Sequence, residues 1–134
     1  MHKLAKLRKE YSKASLDISN VLTNPIDQFN KWFSEAMEAE ALEPNAMSLA
    51  TINNEHRPSC RIVLLKGIED DRFLFFTNYQ SNKGKDLENT PVCALTFFWP
   101  EVERQVRIEG NVTRLDDRKS EEYFQSRPIG AQIG

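Results

Sequence analysis

Hydrophobic residues recur along this chain at two periods, and the switch between them divides it. From Asn24 onward, Ile26, Phe29, Trp32, Phe33, Ala36 and Met37 return at three- and four-residue spacing, which gathers them on one face of an amphipathic helix. Asn24 followed by Pro25 supplies an N-cap and a first helical residue. Pro44 closes the region, because the residue before a proline is pushed out of the helical basin. The predicted helix occupies 24–43.

From Ala46 the period drops to two. Met47, Leu49 and Thr51 alternate with Ser48, Ala50 and Ile52, Asn53-Asn54-Glu55-His56 reads as a turn, and a run from Ser59 to Lys66 completes a hairpin. Phe73–Thr77, Val92–Trp99 and Glu103–Leu115 add further β-rich runs, the last expected to bend at Gly110, so five strands are predicted within 46–115. Shorter helices flank them. Lys3–Tyr11, inside a basic segment over 1–23, places Leu4, Leu7 and Tyr11 on one face. Ser81 is placed to cap a helix that ends before Pro91, and Asp116 or Asp117 opens another within 116–134 that carries Tyr123 and Phe124. Closely spaced strands with short helices predict a mainly β protein, an antiparallel barrel with peripheral helices. The 134 residues suit a single domain.

Composition narrows the chemistry. A formal net charge of -2 gives no general electrostatic reason to bind nucleic acid, so phosphate recognition must come from a local cluster. Cys60 and Cys93 lie in apolar runs without a CxxC spacing or a neighbouring His, which predicts buried reduced thiols and no metal site. No apolar stretch is long enough to span a bilayer, and the basic N-terminus has no hydrophobic region behind it, so no membrane partner and a cytoplasmic location are expected.

Four polar groups are candidates for chemistry. In Arg61-Ile62-Val63-Leu64-Leu65-Lys66, alternation sends Arg61, Val63 and Leu65 one way and Ile62, Leu64 and Lys66 the other. By itself this is also the pattern of a core strand with solvated ends. Phe76-Thr77-Asn78 and Ser81-Asn82-Lys83 bring hydroxyls, an ammonium group and a helix start together, which suits a phosphate but equally an ordinary strand-to-helix connection. Glu103-Arg104-Gln105-Val106-Arg107 reads as a solvated strand face. Tyr123 and Arg127, four residues apart on one side of a helix, can hold one anionic aromatic ligand or simply pack beside the core.

The order of these motifs, with Leu-Arg-Lys-Glu-Tyr (7–11), Phe-Phe-Thr-Asn (75–78), Tyr-Phe-Gln-Ser-Arg-Pro (123–128) and Gln-Ile-Gly (132–134), closely resembles the pyridoxamine/pyridoxine 5′-phosphate oxidases over 7–134. The resemblance implies an FMN-binding split barrel that dimerises and holds FMN between two subunits. It implies FMN contacts from Arg61, Ile62, Val63, Leu64, Leu65, Lys66, Phe76, Thr77, Asn82, Lys83 and Gln105, with Arg61 and Lys83 at the phosphate. It implies that Lys66, Tyr123 and Arg127 surround the phosphate of a B6 vitamer, covered by Arg8 and Tyr11. The implied reaction oxidises pyridoxamine or pyridoxine 5′-phosphate to pyridoxal 5′-phosphate with O2 as acceptor, giving H2O2. The flavin carries the difficult chemistry, and no catalytic base is nominated.

Departures from the family pattern bear on that reading. Ser81-Asn82-Lys83 has a neutral amide where the family usually has a guanidinium, and Ala131 stands where the family often has a serine donor. Family members also continue past the equivalent of Gly134, so the barrel is expected to be incomplete at the C-terminus, as in a fragment or a chain completed by a partner. These differences keep two alternatives open: an FMN- or pyridoxal-phosphate-binding protein with little turnover, and another split-barrel flavin reductase or haem-handling relative. Phe97, Phe98 and Trp99 offer apolar surface for a homodimer.

Overall fold

Asn24 starts the first long helix as its sequence predicts. A computed structural model describes residues 2–7, 16–78 and 81–115. After a short α1 (His2–Ala5), the Asn24 side chain accepts from the backbone N–H groups of Ile26 and Asp27 at 2.8 and 3.3 Å, capping α2 (Pro25–Glu38). Helix α2 stops short of 43 because Glu40 and Glu43 take φ of 56° and 46°, a left-handed backbone through which a helix of L-residues does not continue.

The described residues fall into two compact units. The first holds 2–7, 16–44 and 98–105. Within it, buried Phe29 stacks on Phe33 with ring centroids 5.9 Å apart, and both rings meet Trp99, at 5.8 and 6.0 Å. The Trp99 indole N–H, taken out of water, donates to Pro44 O at 2.8 Å. Arg104 ion-pairs with Glu35 and lies over the Trp32 ring, 4.9 Å from its centroid. The expected solvated face of this strand is therefore half right: Gln105 and Arg107 are exposed, whereas Arg104 is tied down.

Among the described residues the second unit holds 45–78, 81–97 and 106–115. Strand β1 (Ala46–Ile52) pairs antiparallel with β2 (Pro58–Leu64), in register from Ala46 opposite Leu64 to Ile52 opposite Pro58. Asn53 closes the turn, its side chain accepting from the N–H groups of Glu55 and Arg57 at 2.9 and 3.0 Å. On its other edge β1 pairs antiparallel with β5 (Val92–Trp99), and β6 (Arg104–Asn111) completes the sheet order β2-β1-β5-β6. Met47, Leu49 and Thr51 are inward on β1 and Leu95 and Phe97 on β5, and α3 (Asn82–Asn89) packs against β1, burying Leu87; of the three aromatics expected to offer apolar surface, Phe97 and Trp99 are buried and Phe98 is exposed.

Among the described residues, six strands stand where five were expected. The run over 73–77 is instead a separate hairpin of β3 (Gly67–Glu69) and β4 (Arg72–Leu74). Its turn residues Asp70 and Asp71 have φ of 51° and 60°, the backbone of a tight primed turn. Strand β6 runs through Gly110 and ends at Asn111, short of 115. Both cysteines are free, but Cys60 is exposed rather than buried, because it lies outward on edge strand β2, with Sγ 2.8 Å from Ser48 Oγ. Cys93 is half-buried, and burial pushes its thiol pKa up. Among the described residues, no helix is long and apolar enough to cross a membrane. The helix expected after 116 lies outside the described residues.

Candidate functional site

The pleat of β2 turns Arg61 and Val63 toward the half-buried side and leaves Ile62, at 67% exposure, on the open side. Arg61 lies opposite Leu49 in the ladder, and its Nη1 donates both to Leu49 O and to Thr51 Oγ1, each at 2.9 Å. The Thr51 hydroxyl in turn donates to Asp86 Oδ2, on α3, at 3.1 Å.

Helix α3 begins beside this chain of hydrogen bonds. Ser81 caps it, its Oγ accepting from Gly84 N–H at 3.1 Å while its own hydrogen goes to Asn78 O at 2.6 Å. Lys83 Nζ donates to Thr77 Oγ1 at 2.8 Å. Burial, and then the positive charge of Arg61, lower the Lys83 pKa from the usual lysine value. Two cations therefore face one region from different elements, and among the described residues neither ion-pairs with a carboxylate. Such a pair stabilises an incoming anion, which relieves their repulsion and accepts charge-assisted hydrogen bonds.

The structure brings Arg61, Thr77 and Lys83 together. Phe76 is half-buried after β4, and Asn82 is exposed as the first residue of α3. Leu64 is partly exposed, Leu65 is buried with its N–H donating to Asn45 O at 2.8 Å, and exposed Lys66 has its N–H on Leu74 O at 2.8 Å. Gln105 is exposed on β6 and belongs to the first unit. Arg8, Tyr11, Tyr123, Arg127 and Ala131 lie outside the described residues.

Sequence reasoning missed Thr51 and Asp86. The available signal was a hydroxyl on the inward face of β1, in line with Met47 and Leu49: a buried polar side chain requires a partner.

A model of the family described as pyridoxamine 5′-phosphate oxidase matches residues 33–134. The pyridoxine/pyridoxamine 5′-phosphate oxidase of Leptospira interrogans serovar copenhageni is 54% identical over 132 residues, covering 98% of this chain and 62% of its own length. The chain thus spans less than two thirds of that relative. Among solved structures, PhzG from Burkholderia lata 383, in complex with tetrahydrophenazine-1-carboxylic acid, superposes with a TM-score of 0.85 at 24% identity, over 91% of this chain and 61% of PhzG. A pyridoxamine 5′-phosphate oxidase-related, FMN-binding protein from Nostoc punctiforme gives a TM-score of 0.66 at 18% identity, over 78% of this chain and 61% of that protein. The mainly antiparallel fold is thus the split barrel expected from sequence, and the chain belongs to the pyridoxamine 5′-phosphate oxidase family.

Proposed function

We propose that this chain binds FMN and contributes to FMN-dependent oxidation of pyridoxamine or pyridoxine 5′-phosphate to pyridoxal 5′-phosphate, with O2 as acceptor and H2O2 as product. The observation that carries the reading is the Arg61–Lys83 pair, two cations without a carboxylate partner among the described residues. Its donor set fits the phosphate of FMN: a planar guanidinium and an ammonium supply the charge, and Thr77 holds the lysine in place.

In this reading, residues 61–66 run along the flavin, and Phe76, Thr77, Asn82 and Gln105 complete its surroundings. Lys66, Tyr123 and Arg127 bind the substrate phosphate, with Arg8 and Tyr11 over it. Bound FMN supplies the hydride acceptor and the route to O2. The protein's own residues anchor both phosphates and so hold substrate against cofactor, an orientation effect. A second copy of the chain completes the cleft, and the protein works in the cytoplasm. Asn82, an amide in place of the usual guanidinium, weakens the hold on FMN.

Adding FMN to the purified chain, removing the excess and recording absorbance with native mass tests cofactor and dimer together. Stoichiometric flavin on a dimer is expected. Peroxide release with pyridoxine 5′-phosphate then tests turnover separately, and flavin binding without peroxide would leave a binding protein.

A further inference from the structure

We infer that Thr51 and Asp86 are positioning residues for the Arg61 guanidinium, fixing which of its edges is presented to a phosphate. The inference rests on the proposal that Arg61 and Lys83 take the phosphate of FMN. It follows from where each hydrogen goes. A guanidinium carries five N–H groups, two of them on Nη1. Nη1 has two acceptors, Leu49 O and Thr51 Oγ1. Nε and Nη2 have no partner among the described residues. These two atoms form one flat edge, the geometry that matches two phosphate oxygens at once.

The Thr51 hydroxyl accepts from Arg61 while its own hydrogen points to Asp86 Oδ2 at 3.1 Å. An ionised carboxylate only accepts, so Asp86 sets the direction of the chain from Arg61 through Thr51 to itself. Thr51 is 1% exposed on a strand face otherwise filled by Met47 and Leu49, where valine would occupy a similar volume. Filling space does not require the hydroxyl; orienting Arg61 does. Asp86 also lies one helical turn beyond Lys83, so the same contact ties the helix bearing one cation to β1, against which the strand bearing the other is paired.

The test compares the dissociation constants of FMN and riboflavin, which lacks the phosphate, by flavin fluorescence with the wild-type chain and with R61M, T51V, T51S and D86N. T51V is expected to weaken FMN about three- to tenfold, the loss of one oriented hydrogen bond, and D86N, whose amide oxygen still accepts from Thr51 but whose NH2 lets the bond reverse, to weaken it in the same direction by less, while riboflavin binding holds and T51S keeps the wild-type preference. If R61M loses the preference for FMN but T51V and D86N keep it, the positioning role is overturned and the phosphate site stands. Equal weakening of both flavins would reduce Thr51 and Asp86 to supports of the fold. A wild-type chain without any preference for FMN would overturn the phosphate site, and this inference with it. Thermal melting checks each variant, and if T51V does not fold, D86N and T51S decide.

Discussion

Lys83 Nζ donates to Thr77 Oγ1 at 2.8 Å, so its charge meets a hydroxyl dipole at the site where Arg61 also points. Burial and that neighbouring cation both favour the neutral amine, and its pKa lies below 10.5. The folded state therefore carries a penalty while Lys83 is protonated, and the penalty is lost as pH rises through the lowered value toward 10.5. A bound phosphate reverses the preference by stabilising the ammonium form.

FMN affinity should therefore fall as pH rises through the alkaline range, beginning below the ordinary lysine value of 10.5, with a proton taken up on binding in that window. K83R keeps its charge at every pH tested and should flatten this limb of the profile. Titration of FMN at a series of pH values measures it, and an unchanged slope in K83R would show that Lys83 is not the titrating group.

The same residue predicts opposed effects on binding and stability. K83M removes a partly desolvated cation from beside Arg61, so the ligand-free chain should melt at the same temperature or higher. Its affinity for FMN should fall about tenfold or more, the loss of a hydrogen bond to a charged group. A differential scan and a flavin titration on one preparation check both; a lower melting temperature without FMN would mean that Lys83 supports the fold.

What sequence made legible depended on length and on period. Six apolar residues of α2 share one face, and the alternation over 46–52 and 59–66 is long enough to define β1 and β2. Strands β3 and β4 have three residues each, too few to show a period, and the only clue to their turn was Asp70-Asp71. Pro44 sets an outer limit for α2 but not its end, because the backbone already turns left-handed at Glu40, a residue whose type does not announce it. At the site, Arg61, Thr77 and Lys83 were named through resemblance, since spacing alone left them on separate elements. Thr51 and Asp86 were missed because a side-chain hydrogen bond between a strand and a helix leaves no local pattern.

The two thiols should react at different rates. Cys60 is exposed on edge strand β2, whereas Cys93 is half-buried with its pKa raised above 9.0, and the thiolate is the reactive form. Alkylation of the folded chain at neutral pH should show one fast and one slow equivalent, with C60S removing the fast one. Peptide mapping that finds Cys93 modified first would contradict the assignment.

In the first unit, Trp99 combines ring packing with a hydrogen bond in one buried side chain. Its ring is 1% exposed, it meets Phe29 and Phe33, and its indole N–H satisfies Pro44 O. W99F keeps an aromatic ring but removes volume and leaves that carbonyl without its donor, for an expected loss of about 2–4 kcal/mol. N24A removes the α2 cap for about 1 kcal/mol. Urea denaturation followed by far-UV circular dichroism measures both, since the signal does not depend on the deleted indole. Trp99 also packs on Phe29 and Phe33 of the same helix that Asn24 caps, so the two losses should couple, and the double variant should depart from their sum by more than about 0.5 kcal/mol. A W99F loss no larger than that of N24A would mean that the Phe29–Phe33–Trp99 cluster adjusts to the smaller ring and that water reaches Pro44 O in place of the indole.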